Sequence, residues 1–345
     1  MTTVQSTDGG AVSPSPTESL PDLDALDHAG GGQVSTVAQR DAEGWVTARP
    51  PRFHEIVRRV FGFPGLLRRH KDLVLTSVKR DLEVRFSGTI LGWFWPLFHP
   101  LFLFVVYYFI FVHLLGFKLQ GLPESQKSGM GVYMFVGISA WTAIAETLVR
   151  GTSSIVDNGN LIKKLAFPSE ILPLNVTLVG LVTLLFAVAM FVVACTLTPM
   201  WPAPGWALLW VPVILLVQGV FTYGLALFLS TLQVFLRDTL QVVTVLTTVW
   251  MFATPIFWVP EVTKRVADYM PILSINPVYH LVQAWRGALM GDVVIPKTPE
   301  IAGGLAVSVE AIGPHLAVLA AWAVGFYVLG FAFFVLCQRR FADEV

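Results

Sequence analysis

From Glu170 to Arg237 the chain contains no Asp, Glu, Lys or Arg. A soluble domain cannot expose such a run, because about a quarter of its residues are normally charged. The run is also longer than the roughly 20 apolar residues that one membrane-spanning helix needs. TPMWPAPGW at 198–206 divides it, with prolines and a glycine for a turn and tryptophans suited to a membrane interface. A second charge-free stretch runs from Arg85 to Lys118, and further apolar segments lie near 131–152, 239–259 and 311–337. With 54% hydrophobic and 13% charged residues overall, the sequence predicts an all-α integral membrane protein. Six spans are expected, at about 89–116, 131–152, 172–197, 207–232, 239–259 and 311–337.

An even number of spans puts both termini on one side, and the charges select that side. With the amino terminus inside, inner segments hold 17 Lys and Arg and outer segments hold 6, so the positive-inside rule predicts cytoplasmic termini. The first 60 residues lack the apolar core of a cleavable signal. The expected organisation is a disordered, acidic, Gly/Ser/Pro-rich tail at 1–50, a cytoplasmic segment at 51–88, the transmembrane domain at 89–338 and a cytoplasmic end at 339–345.

Before the first span, 66–86 (LLRRHKDLVLTSVKRDLEVRF) has the period of an amphipathic helix. Leu67, Val74, Leu75, Val78 and Leu82 share one arc, and Arg68, Arg69, Asp72, Lys79, Arg80 and Glu83 share the other. Such a helix lies on the inner membrane surface, either as a docking element or as a plain anchor. Between spans five and six, 271–290 is too interrupted by Asn276, Pro277 and Arg286 to cross, and it reads as short re-entrant helices before the last span.

Ionisable groups inside the spans are few. Glu146 and Arg150 stand four apart with the acid first, the favourable order for a helical ion pair. Cys195 and Cys337 fall at opposite ends of their spans, too far apart for a bridge. The chain has no GxxxxGK[ST] loop, no HExxH, no paired-cysteine motif and no GxSxG, and its seven histidines lack ligand spacing. The sequence therefore assigns this chain no catalytic residue, cofactor or metal of its own, and any energy source must come from elsewhere. The aromatics of the first span read as packing or lipid-facing residues, or as a surface on which sugar rings stack through their C–H faces.

Four stretches carry a resemblance. KRDLEVRFSGTILGWFWPLFHPL (79–101), NGNLIKKLAFPSEILP (158–173), RDTLQVVTVLTTVWMFATPIFW (237–258) and INPVYHLVQAWRGAL (275–289) occur in the order found in membrane subunits of ABC-2-type polysaccharide exporters. This family serves O-antigen, capsule, teichoic acid and galactan export. The resemblance spans 79–289 and does not reach the amino-terminal tail.

The resemblance implies a multi-pass protein of the bacterial plasma membrane. Two copies of the chain would work with two ATPase subunits, which bind the ATP and Mg, and move a lipid-linked polysaccharide. It places ATPase coupling on Arg80, Asp81 and Glu83 before span one and on Asn160, Lys163, Lys164, Phe167, Pro168 and Glu170 between spans two and three. Pro168 would stop a preceding turn, and Ser169 or Glu170 would satisfy free amides where span three begins. Substrate-path candidates are Trp93, Trp95, Phe98 and Tyr107 on span one and Trp250, Phe252 and Phe257 on span five, with Asn276, Pro277 and Arg286 as an outer gate. An ABC-2-type exporter of lipids or drugs shares this plan. A membrane-embedded glycosyl or acyl transferase would need clustered acids or histidines, and an ion-coupled transporter would need buried acids beyond Glu146.

Overall fold

The computed structural model describes residues 38–40, 46–48, 53–86, 95–116, 129–164, 168–197, 201–259, 269–291, 293–294, 306–307 and 311–344. The chain divides into two units, Met1–Arg49 and Pro50–Val345. In the first unit, β1 (Ala38–Arg40) pairs antiparallel with β2 (Val46–Ala48), with Ala38 opposite Ala48. These six residues fall within the expected tail; the rest of that tail lies outside the described residues.

The second unit is helical. Among the described residues, four helices are long and apolar enough to cross a membrane: Gly129–Asp157, Ile171–Leu197, Trp206–Phe235 and Ile312–Arg340. They match the expected second, third, fourth and sixth spans. The second is longer than expected, because Gly129–Asp157 (α4) continues through GTSSIVD, whose small hydroxyl residues bond back to their own helix. α4 is also the centre of the bundle. Its apolar window is 78% buried, against 39% for α6 (Ile171–Leu197) and 33% for the last span.

The other two expected spans depart from simple helices. The first is α3 (Trp95–Tyr108) running into a π-helical turn, Phe109–Leu114, where the Leu115 amide bonds to the Ile110 carbonyl at 2.9 Å. Gly116, at φ +69°, takes the left-handed turn that ends it. The fifth, expected at 239–259, is α8 (Thr239–Ala253), only 15 residues long. At 1.5 Å per residue this is about 22 Å, short of the roughly 30 Å hydrocarbon core. Pro255 explains the stop, since it forces Thr254 into extended backbone. The remaining apolar residues turn inward, and Ile256 and Phe257 are buried.

The segment before span one is two helices, α1 (Phe53–Arg69) and α2 (Lys71–Phe86), meeting at His70, whose ring nitrogen reaches the Leu66 carbonyl at 3.1 Å. This break corrects the expected single helix over 66–86 and resets its phase. Val74 and Leu82 are buried, but Leu75 is 65% exposed.

α7 (Val211–Phe235, entered through a 3₁₀ turn at Trp206–Trp210) crosses the last span at a pair of glycines. A Cβ on Gly224 would stand 2.5 Å from the Tyr327 amide, and one on Gly330 would strike the Gly224 carbonyl. Small residues of this kind let membrane helices touch backbone to backbone.

Two short helices precede the last span: α9 (Met270–Leu273) and α10 (Pro277–Met290). α10 falls in the segment expected to hold short re-entrant helices. Asn276 caps it, accepting from the Val278 amide at 3.0 Å, Pro277 occupies its first turn, and Gly291 at φ +72° ends it. Nearly all of α10 is buried. β3 (Val293–Val294) and β4 (Ala306–Val307) then pair before α11 (Ile312–Cys337). A 3₁₀ turn and α12 (Phe341–Glu344) close the chain. Cys195 and Cys337 are both free thiols.

Candidate functional site

At one end of the bundle, α1 lays Val60 and Phe63 against Tyr223 of α7 and Tyr327 and Phe331 of α11. The Phe63 ring stacks on Tyr223 at 5.2 Å, and the Tyr327 hydroxyl donates to the Val60 carbonyl at 2.9 Å. α2 docks on α6 beside it. Leu82 packs on Val179, and the Asp81 carboxylate accepts from the Asn175 side-chain amide. This docking leaves Arg80 and Glu83 exposed; Arg80 lies 3.7 Å from Asp81, and Glu83 lies 3.8 Å from Lys79.

The connector after α4 turns at Asn158, whose carbonyl accepts from Leu161 at 3.0 Å to start α5 (Gly159–Lys164). Ile162 points into an apolar cluster with Ile155, Ile171 and Phe341, so α12 braces α5 from below. Asn160 and Lys163 are exposed on its other side. The side chain of Lys164 and the whole of Phe167 lie outside the described residues.

Glu170 departs from the picture of a contact residue, because it is buried. Its carboxyl bonds to its own amide, and burial raises its pKa above the ordinary carboxylate value, outweighing the opposing pulls of that bond, Arg59 and His70. The next amides are satisfied by main-chain carbonyls, Ile171 by Pro168 at 3.0 Å and Leu172 by Ser169 at 3.2 Å. A chain of contacts surrounds this elbow. Arg59 donates to Gln338 at 2.8 Å, Gln338 reaches the Ser169 hydroxyl at 3.5 Å, and the Tyr223 hydroxyl donates to the Glu170 carbonyl at 3.1 Å. The connector is thereby tied to α1, α7 and the carboxyl-terminal segment together.

The aromatic candidates separate into groups. Trp95 and Phe98 are exposed on α3, edge to face at 5.5 Å, while Trp93 lies outside the described residues. Tyr107 of α3 meets the buried Phe257 at 4.4 Å, and Phe257 meets the exposed Phe252 at 5.8 Å, so three of the predicted residues form one cluster. Trp250 is a tie rather than an open surface. Its indole donates to Asn276 at 2.9 Å and its ring meets Trp141 edge to face.

Arg286, predicted at an outer gate, is fully buried. Its guanidinium sits 3.3 Å over the Tyr133 ring and donates to the carbonyls of Pro255 at 2.8 Å, Ile256 at 3.3 Å and Tyr133 at 3.5 Å. A cation over an aromatic face with several carbonyl acceptors is well stabilised in an apolar interior. The Pro255 and Ile256 carbonyls belong to the turn after α8 and the Tyr133 carbonyl to α4, so Arg286 on α10 holds the end of α8 against α4.

Sequence reasoning missed Tyr133, Gln218 and the histidines at 280 and 315. Gln218, buried in α7, accepts from the Trp285 indole at 2.9 Å. Its only signal was a lone amide inside a charge-free span. Glu146 and Arg150 form the expected pair at 3.5 Å. A hollow of about 310 Å³ between α3, α4 and α6, lined by Leu101, Phe104, Tyr108, Phe135 and Phe191, is apolar apart from one phenol and offers nothing to grip a sugar.

The chain matches the family described as ABC-2 type transporter over residues 72–290. It is 27% identical over 254 residues to an O-antigen export system permease protein, RfbA, of Myxococcus xanthus, covering 74% of this chain and 91% of that protein. It is 29% identical over 225 residues to the protein of the same description in Klebsiella pneumoniae, covering 65% of this chain and 82% of the relative.

Proposed function

The chain belongs to the ABC-2 type transporter membrane family, and from that premise we propose that it is the permease subunit of an ATP-driven exporter of a lipid-linked polysaccharide in the bacterial plasma membrane. The observation that carries this reading is the likeness to O-antigen export permeases along nearly the whole length of one of them. The arrangement of α2 and α5 supports it: both are anchored to the bundle on one side and present Arg80, Glu83, Asn160 and Lys163 on the other.

In the proposed cycle, two copies of this chain sit on two ATPase subunits, with both termini cytoplasmic and six membrane passages per copy. ATP and Mg bind to the ATPases, whose approach pushes on α2 and α5. The push enters α6 through Asp81–Asn175 and through the elbow at Pro168–Glu170. The second copy would cover the exposed apolar faces of α3 and α8, which include Phe102, Val105, Val245 and Val249. Trp95, Phe98, Phe252 and the Tyr107–Phe257 pair then offer ring faces to the polymer. Stacking suits this task because it tolerates successive registers, whereas fixed hydrogen bonds would arrest a moving chain. In this reading α10, with Asn276, Pro277 and Arg286, forms the outer element of the path.

The apolar hollow favours a second reading, an ABC-2 exporter of a lipid or drug without glycan. One experiment separates the two: purify the tagged chain gently from its native membrane, identify what co-purifies, and compare the surface glycan of cells with and without it. A stoichiometric ATPase and loss of a surface polymer establish the first reading. An ATPase with unchanged glycan establishes the second, and recovery without any ATPase overturns both.

A further inference from the structure

His280 of α10 and His315 of α11 face each other with their Nδ1 atoms 2.8 Å apart. On its far side, His280 Nε2 lies 2.7 Å from the Ser274 carbonyl, which caps α9. A carbonyl only accepts, so His280 Nε2 carries a hydrogen, and a neutral imidazole has just one. His280 Nδ1 is then a lone pair, and the hydrogen in the gap belongs to His315 Nδ1. The polar chain runs from His315 through His280 to Ser274 and joins α11, α10 and α9.

This arrangement accepts only one bridging hydrogen. Protonating both rings would put two N–H groups head to head at 2.8 Å and place two positive charges in contact. Among the described residues neither ring has a carboxylate within ion-pair distance. Among the described residues the surroundings offer no other relief. On α10 itself, Tyr279 touches both rings edge-on, at 5.3 Å and 5.7 Å, and Arg286 is a cation. α4 contributes Tyr133, which lies under that cation. α7 presents the neutral Gln218, and α9, β4 and the Trp206–Trp210 turn carry no titratable side chain. His280 is buried, so water cannot fill the gap without parting the helices.

We propose that His280 and His315 form a proton-operated latch: one bridging hydrogen holds α10 against the start of α11, and protonation of both rings releases it. α10 also bears Arg286 and follows the Asn276 cap that Trp250 binds, so its release loosens the whole end of the bundle around the α8 turn. The effector is the hydronium activity of the compartment that this end faces. The latch stands on the geometry of this chain and does not depend on which substrate is exported.

The test uses the full chain in lipid nanodiscs, where both faces meet the same buffer. Amide hydrogen exchange across 274–290 and 312–320 is followed at pH 7.5 and pH 5.0, corrected for intrinsic rates. Protection in these segments should fall about tenfold in the acid, as expected when one pKa unit of preference is lost, while α4 stays unchanged. His315→Gln supplies an amide that donates to neutral His280 and accepts from protonated His280, so its protection should be the same at both pH values. His113→Gln, at an exposed histidine, should respond as the parent does. Equal protection of the parent at the two pH values would overturn the latch, as would an undiminished acid response in His315→Gln. Protection that appears only with added Zn²⁺ and vanishes with a chelator would also overturn it, in favour of a metal site.

Discussion

The indole nitrogen of Trp250 donates to the side-chain oxygen of Asn276 at 2.9 Å, and the same oxygen caps α10 by accepting from Val278. The Asn276 amide nitrogen donates in turn to the Thr254 hydroxyl at 3.0 Å. One short side chain thus fixes the last turn of α8, the turn that follows it and the start of the re-entrant helix. Asn276→Ala removes all three bonds and strands a half-buried indole N–H. The expected cost is about 2–4 kcal/mol, read as a lower unfolding midpoint in detergent. Trp250→Phe should cost less, because the cap on Val278 survives.

Arg286→Lys should behave as a severe change. Lysine keeps the charge but cannot divide it among the carbonyls of Pro255, Ile256 and Tyr133 or lie flat on the Tyr133 ring. A loss of about 3 kcal/mol or more is expected. Limited proteolysis should then show earlier cutting in the 254–259 turn than in α4.

Gly330→Val should abolish a stable fold. Its side chain would enter the Gly224 carbonyl, and the nearest atoms across the crossing are backbone, which cannot swing aside. The check is monodispersity on size exclusion after expression, where the variant should aggregate. Gly313→Ala, at a glycine with open space around it, should elute as the parent does.

Lys163→Glu combined with Lys164→Glu should leave the protein folded, since Lys163 is exposed on α5. Export should fall severalfold while ATP hydrolysis by the purified complex continues, so the ratio of polymer moved to ATP consumed is the quantity to measure. An unchanged ratio would remove α5 from the coupling path.

Glu170→Gln carries a sign that can be worked out. Burial raises the folded-state pKa of this carboxyl above its unfolded value. Its contribution to stability is therefore complete below the unfolded pKa and is lost as pH rises through the folded pKa. Glutamine stays neutral throughout, so the variant should gain stability relative to the parent as pH rises from about 4.5 towards neutrality. Midpoints of thermal unfolding measured across that range decide the matter.

The apolar runs disclosed four of the long helices because burial in a membrane requires continuous hydrophobicity, which any window detects. They misjudged α8, where Pro255 ends the helix although the apolar run continues to Val259. The amphipathic pattern of 66–86 located α2 but hid the break at His70, since a kink leaves composition untouched. The motifs placed Asn276 and Arg286 at one site, and the structure joins them through the α8 turn. The sequence held no sign that Glu170 is buried or that Trp250 is a tie. The histidines at 280 and 315 stayed hidden for a similar reason: their contact arises from how α10 folds back on α11, and no local spacing records it.

The glycine crossing of α7 and α11 has a dynamic corollary. Two helices in backbone contact have no side-chain cushion between them, so they cannot slide or rotate without a collision. They must therefore travel as a single strut through any working cycle, fixed to α1 by the Phe63–Tyr223 stack. Displacement is left to the thinly held elements: α8, exposed along most of its length, and α3, which ends in a π turn. The rigid part of the bundle is set by two residues that have no side chains at all.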